Sequence, residues 1–114
     1  REPFNVNRLA QVAACAALDD RAFLARTRRM TAEGHRYLCR ELAALGLGWV
    51  PSVTNFVLVG LGSRASTLAS ALLRQGVIVR EMTAWKLDGY IRVTIGTMSE
   101  NRHFIVALKR CLAR

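Results

Sequence analysis

The chain predicts an α+β domain: a small mixed sheet of three to four strands with helices packed on one face. Two stretches at the start and one at the end carry apolar residues on a helical 3–4 rhythm. Three short runs between them are rich in β-branched residues and bounded by Gly, Pro or Asn. The order is α-α-β-α-β-β-α, and a joint of about nine residues between the last two strands suits an antiparallel pair. The crossover between residues 55 and 80 makes its two strands parallel or next-but-one neighbours.

The elements follow in order. Residues 1–6 read as an extended entry segment. Asn7 caps a helix to about Leu18, with Leu9, Val12, Ala13 and Ala16 on one face. Asp19 and Asp20 interrupt and recap it. A long helix then runs to about Leu45 on Phe23, Leu24, Met30, Tyr37, Leu38, Leu42 and Leu45, and closes at Gly46 and Gly48. Gly34 in its middle costs about 1 kcal/mol against Ala and suggests close approach of another backbone, or merely a tolerated defect. Pro51 and Ser52 mark a bend, and Asn55–Val59 is a buried strand. Ser63 caps a helix through Arg74, closed by Gln75-Gly76. Val77–Arg80 and Tyr90–Ile95 are strands flanking a polar loop that contains Trp85. Thr97 and Glu100 fit a capping box for a last helix, with Phe104, Ile105, Leu108 and Leu112 inward.

At 114 residues and 52% hydrophobic, the chain holds one core and is too apolar to be disordered. No apolar run approaches the 18 residues of a membrane span. The first residue is Arg1, with no signal peptide behind it, so the chain reads as a piece of a longer cytoplasmic protein. Cys15, Cys39 and Cys111 are odd in number and widely spaced, which reads as buried free thiols in a reducing compartment. His35 and His103 are paired with no cysteine at ligand spacing, so no metal site is expected.

Seventeen basic against eight acidic residues give +9, carried by fifteen arginines and only Lys86 and Lys109. Such a surface attracts anions. Most arginines, including Arg26, Arg28 and Arg29, fall on helices, where they solvate a face. Arg80 and Arg92 are different because they lie on strands. With Ile91, Val93 and Ile95 on the core side, Arg92 and Thr94 face away. A guanidinium there suits bulk water, or a carboxylate or phosphate if another domain covers it. Paired carboxylates, a nucleophile triad, a phosphate-cradling loop of the Walker type and a dinucleotide fingerprint are all missing from the sequence.

Four segments carry a resemblance: PFNVN at 3–7, PS-x-x-NF at 51–56, GVIVR at 76–80 and IRVTIGT at 91–97. In this order they resemble the C-terminal part of the histidinol-phosphate aminotransferases, a branch of the fold-type-I, pyridoxal-phosphate-dependent class I/II aminotransferases. The resemblance runs over essentially the whole chain. It implies that residues 1–19 are a linker segment and helix from a preceding large domain, and that 20–114 form the small domain. It implies that Arg92 binds the substrate α-carboxylate and Arg80 the substrate phosphate. It implies pyridoxal phosphate as cofactor of the full-length enzyme, not held by this fragment, because neither lysine sits in a Schiff-base motif. The implied partners are a small phosphorylated amino alcohol or amino acid and a second subunit, with no nucleic acid and no membrane. The activity implied is transamination between histidinol phosphate and 2-oxoglutarate, with the fragment inactive alone. Within this class, aromatic amino-acid aminotransferases and a threonine-phosphate decarboxylase look similar. Two departures stand out: Lys86 occupies a position the family gives to a small residue, and Glu81 follows Arg80, where it can pair with it. The competing readings are a stand-alone basic module for RNA or an acidic partner, and a dimerisation or regulatory remnant without chemistry.

Overall fold

The computed structural model describes residues 4–113. Helix α1 (Arg8–Asp19) starts where Asn7 accepts the Ala10 N–H at 2.9 Å. Asp20 then caps α2 (Arg21–Ala44), accepting from Phe23 at 2.8 Å. α2 ends in a Schellman closure: Leu47 N–H reaches Leu42 O at 3.0 Å and Gly46 N–H reaches Ala43 O at 2.9 Å. Gly46 has φ 69°, a conformation that costs an L residue with a side chain on the order of 1 kcal/mol.

Four strands follow: β1 (Trp49–Val50), β2 (Phe56–Gly60), β3 (Arg80–Glu81) and β4 (Tyr90–Thr94). They form one sheet in the order β1-β2-β4-β3. β2 and β3 are therefore next-but-one neighbours across β4, as the crossover length allows. Every pairing is antiparallel, so the sheet is not mixed as expected. The reason is β4, which returns by a short loop beside β3 and inserts between the crossover strands. β1, unforeseen in the sequence, pairs Trp49 with Val59 and fills the other edge.

Helix α3 (Ala65–Leu73) and helix α4 (Met98–Leu112) complete the fold. Ser63 does not cap α3: it lies inside a 3-10 turn (Gly62–Arg64) that feeds the helix directly. The capping box of α4 is formed, with Thr97 N–H on Glu100 Oε2 at 2.7 Å and Glu100 N–H on Thr97 Oγ1 at 3.3 Å.

One face of the sheet carries Val57, Val59, Ile91 and Val93, all buried with Leu38, Leu42, Leu72, Ile105 and Leu108 from the helices. Gly34 sits where α2 passes the exit of β4. A Cβ there would meet Ile95 Cγ2 at 2.5 Å and Asn101 Nδ2 at 2.7 Å. The close approach is thus to side chains and not to the backbone that was expected, and it is these side chains that keep a glycine mid-helix. Asn101, the one buried polar residue described, clamps the same corner by accepting from Gly96 N–H at 3.1 Å and donating to Gly96 O at 3.0 Å.

Some expectations shift. Val77–Arg80 was expected as a strand, but only Arg80 and Glu81 join the ladder. The Val77 N–H closes α3 on Leu72 O at 3.0 Å, which holds the chain off the sheet edge until Arg80. Cys39 is half-buried, Cys111 is buried and Cys15 is exposed, so the buried reading fails for Cys15. No residue of α1 is buried, because no layer covers that helix. Phe4 takes a turn conformation with φ 64°, and residues 1–3 of the expected entry segment lie outside the described residues.

Candidate anion-binding site

The sheet face opposite the helices carries the two strand arginines. Arg92 is the middle residue of β4, and pleating sends Ile91 and Val93 to the core and Arg92 to the other side. Arg80 opens β3 and is the direct cross-strand partner of Arg92. Opposed residues share a face, so both guanidinium groups stand over the same uncovered patch. Like charges directly opposite are unfavourable by a few tenths of a kcal/mol to about 1 kcal/mol. Among the described residues, neither arginine joins an ion pair. An anion placed between them would relieve both conditions.

Each guanidinium rests on an aromatic ring. Arg92 Cζ lies 5.3 Å from the Phe56 ring centre, and Arg80 Cζ lies 5.7 Å from that of Trp85. Arg92 is half-buried on a strand paired on both sides, whereas Arg80 is exposed on the edge. Between them lies a hollow of about 310 Å³ lined by Ile78, Val79, Arg80, Arg92 and Thr94. Thr94 was legible beside Arg92 from strand alternation. Ile78 was not, because the chain before Arg80 runs off the sheet edge and does not follow strand alternation. Phe56 and Trp85 were not legible either, because a ring reaching an arginine from another element leaves no periodic signal.

Glu81 does not pair with Arg80. Successive strand residues point to opposite faces, and the Glu81 carboxylate instead accepts from the Thr83 N–H at 3.2 Å and from the Thr83 hydroxyl. Lys86 adopts φ 58°, a conformation that favours glycine over any residue with a side chain.

Two hollows are larger. One of about 520 Å³ lies between residues 76–79 and the start of α4 and includes Val93, His103 and Phe104. One of about 550 Å³ lies between α2 and residues 52–55 and includes Arg28, His35 and Arg36. Size does not choose the site; convergent, unpaired, oriented charge does. On the same stretch of α2, the Cys39 Sγ is 3.7 Å from His35 Nδ1, but burial pushes the thiol pKa up, the opposite of what a nucleophile needs.

A family model described as "Aminotransferase class I and II" matches residues 1–108. The chain belongs to the class I and II aminotransferase family. A histidinol-phosphate aminotransferase 2 of Pseudomonas fluorescens is 46% identical over 114 residues, covering 100% of this chain and 31% of that protein. The histidinol-phosphate aminotransferase of Symbiobacterium thermophilum is 49% identical over 112 residues, covering 98% of this chain and 31% of that protein. The crystal structure of a histidinol-phosphate aminotransferase from Clostridium acetobutylicum superposes with a TM-score of 0.83 at 25% identity, covering 96% of this chain and 34% of that one. The chain thus spans about a third of the length of the aminotransferases it matches.

The family implies pyridoxal phosphate as cofactor, and the described residues do not fit it. A Schiff base needs a lysine in the site. Lys109 is committed to Glu41 at 3.1 Å, and Lys86 ends a surface turn; neither lines any of the three hollows.

Proposed function

We propose that this chain is the substrate-closing C-terminal domain of a pyridoxal-phosphate aminotransferase that exchanges an amino group between histidinol phosphate and 2-oxoglutarate in histidine biosynthesis. The observation that carries it is the pair of cross-strand arginines, unpaired among the described residues, on the open face of the sheet. Arg92 binds the α-carboxylate, which glutamate and 2-oxoglutarate carry and histidinol phosphate lacks. Arg80 binds the phosphate. A planar fork suits both anions. A domain holding these groups at two points orients the reacting atoms and excludes water when it closes.

On this reading residues 1–19 link to a preceding large domain and 20–114 form the small one. The apolar face of α1, bare in this chain, would be covered by that large domain. The Schiff-base lysine and the cofactor belong to it too, so this chain alone is inactive. The full-length enzyme is a cytoplasmic homodimer. Among the described residues no helix is long and apolar enough to cross a membrane. The relatives lend no support to a stand-alone module for RNA or an acidic partner.

The first test is the visible spectrum of the product purified from the native gene. A yellow protein whose band changes with histidinol phosphate supports the reading; a colourless product of about this chain's length refutes it. The second test separates the arginines. In the full-length enzyme Arg92→Ala lowers kcat/KM for glutamate about 10- to 150-fold, the worth of one hydrogen bond to a charged group. Arg80→Ala has its main effect on histidinol phosphate. A rate for Arg92→Ala equal to wild type sinks the assignment.

A further inference from the structure

Trp85 is half-exposed, at 53%, on a turn that the sequence marks only as a polar loop. Several hydrogen bonds tie that turn. Met82 is buried beneath it, and its N–H bonds Tyr90 O at 3.2 Å. The Trp85 N–H bonds Met82 O at 2.9 Å, and the Lys86 N–H bonds Thr83 O at 2.8 Å. Glu81 holds Thr83 from the far side of the strand, and Lys86 accepts a left-handed conformation to close the turn. These ties hold the Trp85 backbone, and the Arg80 guanidinium lies over its indole, with Cζ 5.7 Å from the ring centre. Arg80 needs such support more than Arg92 does, because its strand is two residues long and lies at the sheet edge.

From this geometry we infer that Trp85 is a positioning residue: its ring holds the Arg80 guanidinium over the hollow and so sets the preference for a substrate bearing a second anionic group. The inference rests on the reading of Arg80 given above. The indole does not line the hollow itself, so it acts through the arginine. A preset guanidinium loses less side-chain freedom when the anion arrives.

The test compares Trp85→Leu, Trp85→Phe and Arg80→Ala in the full-length enzyme, each with histidinol phosphate and with histidinol. Trp85→Leu should lower kcat/KM for histidinol phosphate roughly 2- to 30-fold, the range of a cation–π contact, mainly through KM. Histidinol should be unaffected, and Trp85→Phe should recover most of the loss. An equal loss on both substrates, or none on either, overturns the positioning role. If Arg80→Ala itself leaves the preference for the phosphorylated substrate intact, the failure lies in the reading of Arg80, and the inference falls with it. One spectroscopic readout avoids dependence on Trp85→Leu folding. Inorganic phosphate should change the indole emission of the wild-type enzyme, and Trp85→Phe should lose that change; persistence of the full change in Trp85→Phe counts against the role.

Discussion

In α4, Phe104, Ile105 and Leu108 are at most 5% exposed, while in α1 Leu9 and Leu18 are 82% and 77% exposed. Both helices carry an apolar face at helical spacing, and both begin with a side-chain cap. The first two turns of α2 resemble α1, with Phe23 and Leu24 each 49% exposed. Two turns beyond Met30 the same helix buries Leu38 and Leu42 completely. The difference lies in what stands opposite. α4 and the second half of α2 face a sheet, and α1 faces nothing within the described residues. An apolar stripe states that a helix wants a cover; it does not say that the chain supplies one.

The largest effect that sharpens this contrast is Leu108→Ala. It should destabilise this chain by about 2–5 kcal/mol in urea unfolding, since the side chain is wholly buried and leaves a cavity. Leu9→Ala should change the chain by no more than about 0.5 kcal/mol. In a full-length protein where α1 is covered, Leu9→Ala should approach the Leu108→Ala value. A large effect of Leu9→Ala in this chain alone would break the comparison.

Next comes Gly34→Ala. In an open helix the change gains about 1 kcal/mol. At this crossing the new methyl collides with Ile95 and Asn101, so a net loss of about 1–3 kcal/mol is expected, read as a lower Tm. A gain would mean that the corner between α2 and α4 yields freely.

A smaller, stabilising effect is expected from Lys86→Gly. Relief of the left-handed conformation is worth on the order of 1 kcal/mol, offset in part by the greater freedom of glycine in the unfolded chain.

The smallest effect is a pH dependence at the α4 cap. The side-chain hydrogen bond from Thr97, with a further bond from its backbone, lowers the Glu100 pKa. A lowered folded pKa means that the stabilisation is complete above the ordinary glutamate pKa of about 4.3 and fades as pH falls through the folded value. Glu100→Gln should therefore flatten the acid limb of the stability curve, measured by urea unfolding across that range. An unchanged limb would show that the cap does not titrate in this way.

Much of the site was legible before the fold. The alternation Ile91, Val93, Ile95 placed Arg92 away from the core without any coordinates. Arg80 was visible as a charge at the end of a β-branched run. That the two are cross-strand partners was not, because register depends on how β4 returns against β3, with eleven residues between Arg80 and Arg92. The role of Glu81 was misjudged for a related reason. Neighbours in sequence suggest an ion pair, but strand geometry separates them and a turn three residues long claims the carboxylate.

The sequence by itself determined the four helices, the caps at Asn7, Asp20 and Thr97, and the inward face of β4, because these depend on groups within one or two turns of each other. It also carried the family, through four short segments in order. Only the tertiary structure decided the insertion of β4 between β2 and β3, the pairing of β1, the collision that reserves position 34 for glycine, and the rings beneath the two arginines. Each of these joins residues from separate elements. Such contacts are fixed by the packing of whole faces against one another, which no local pattern encodes.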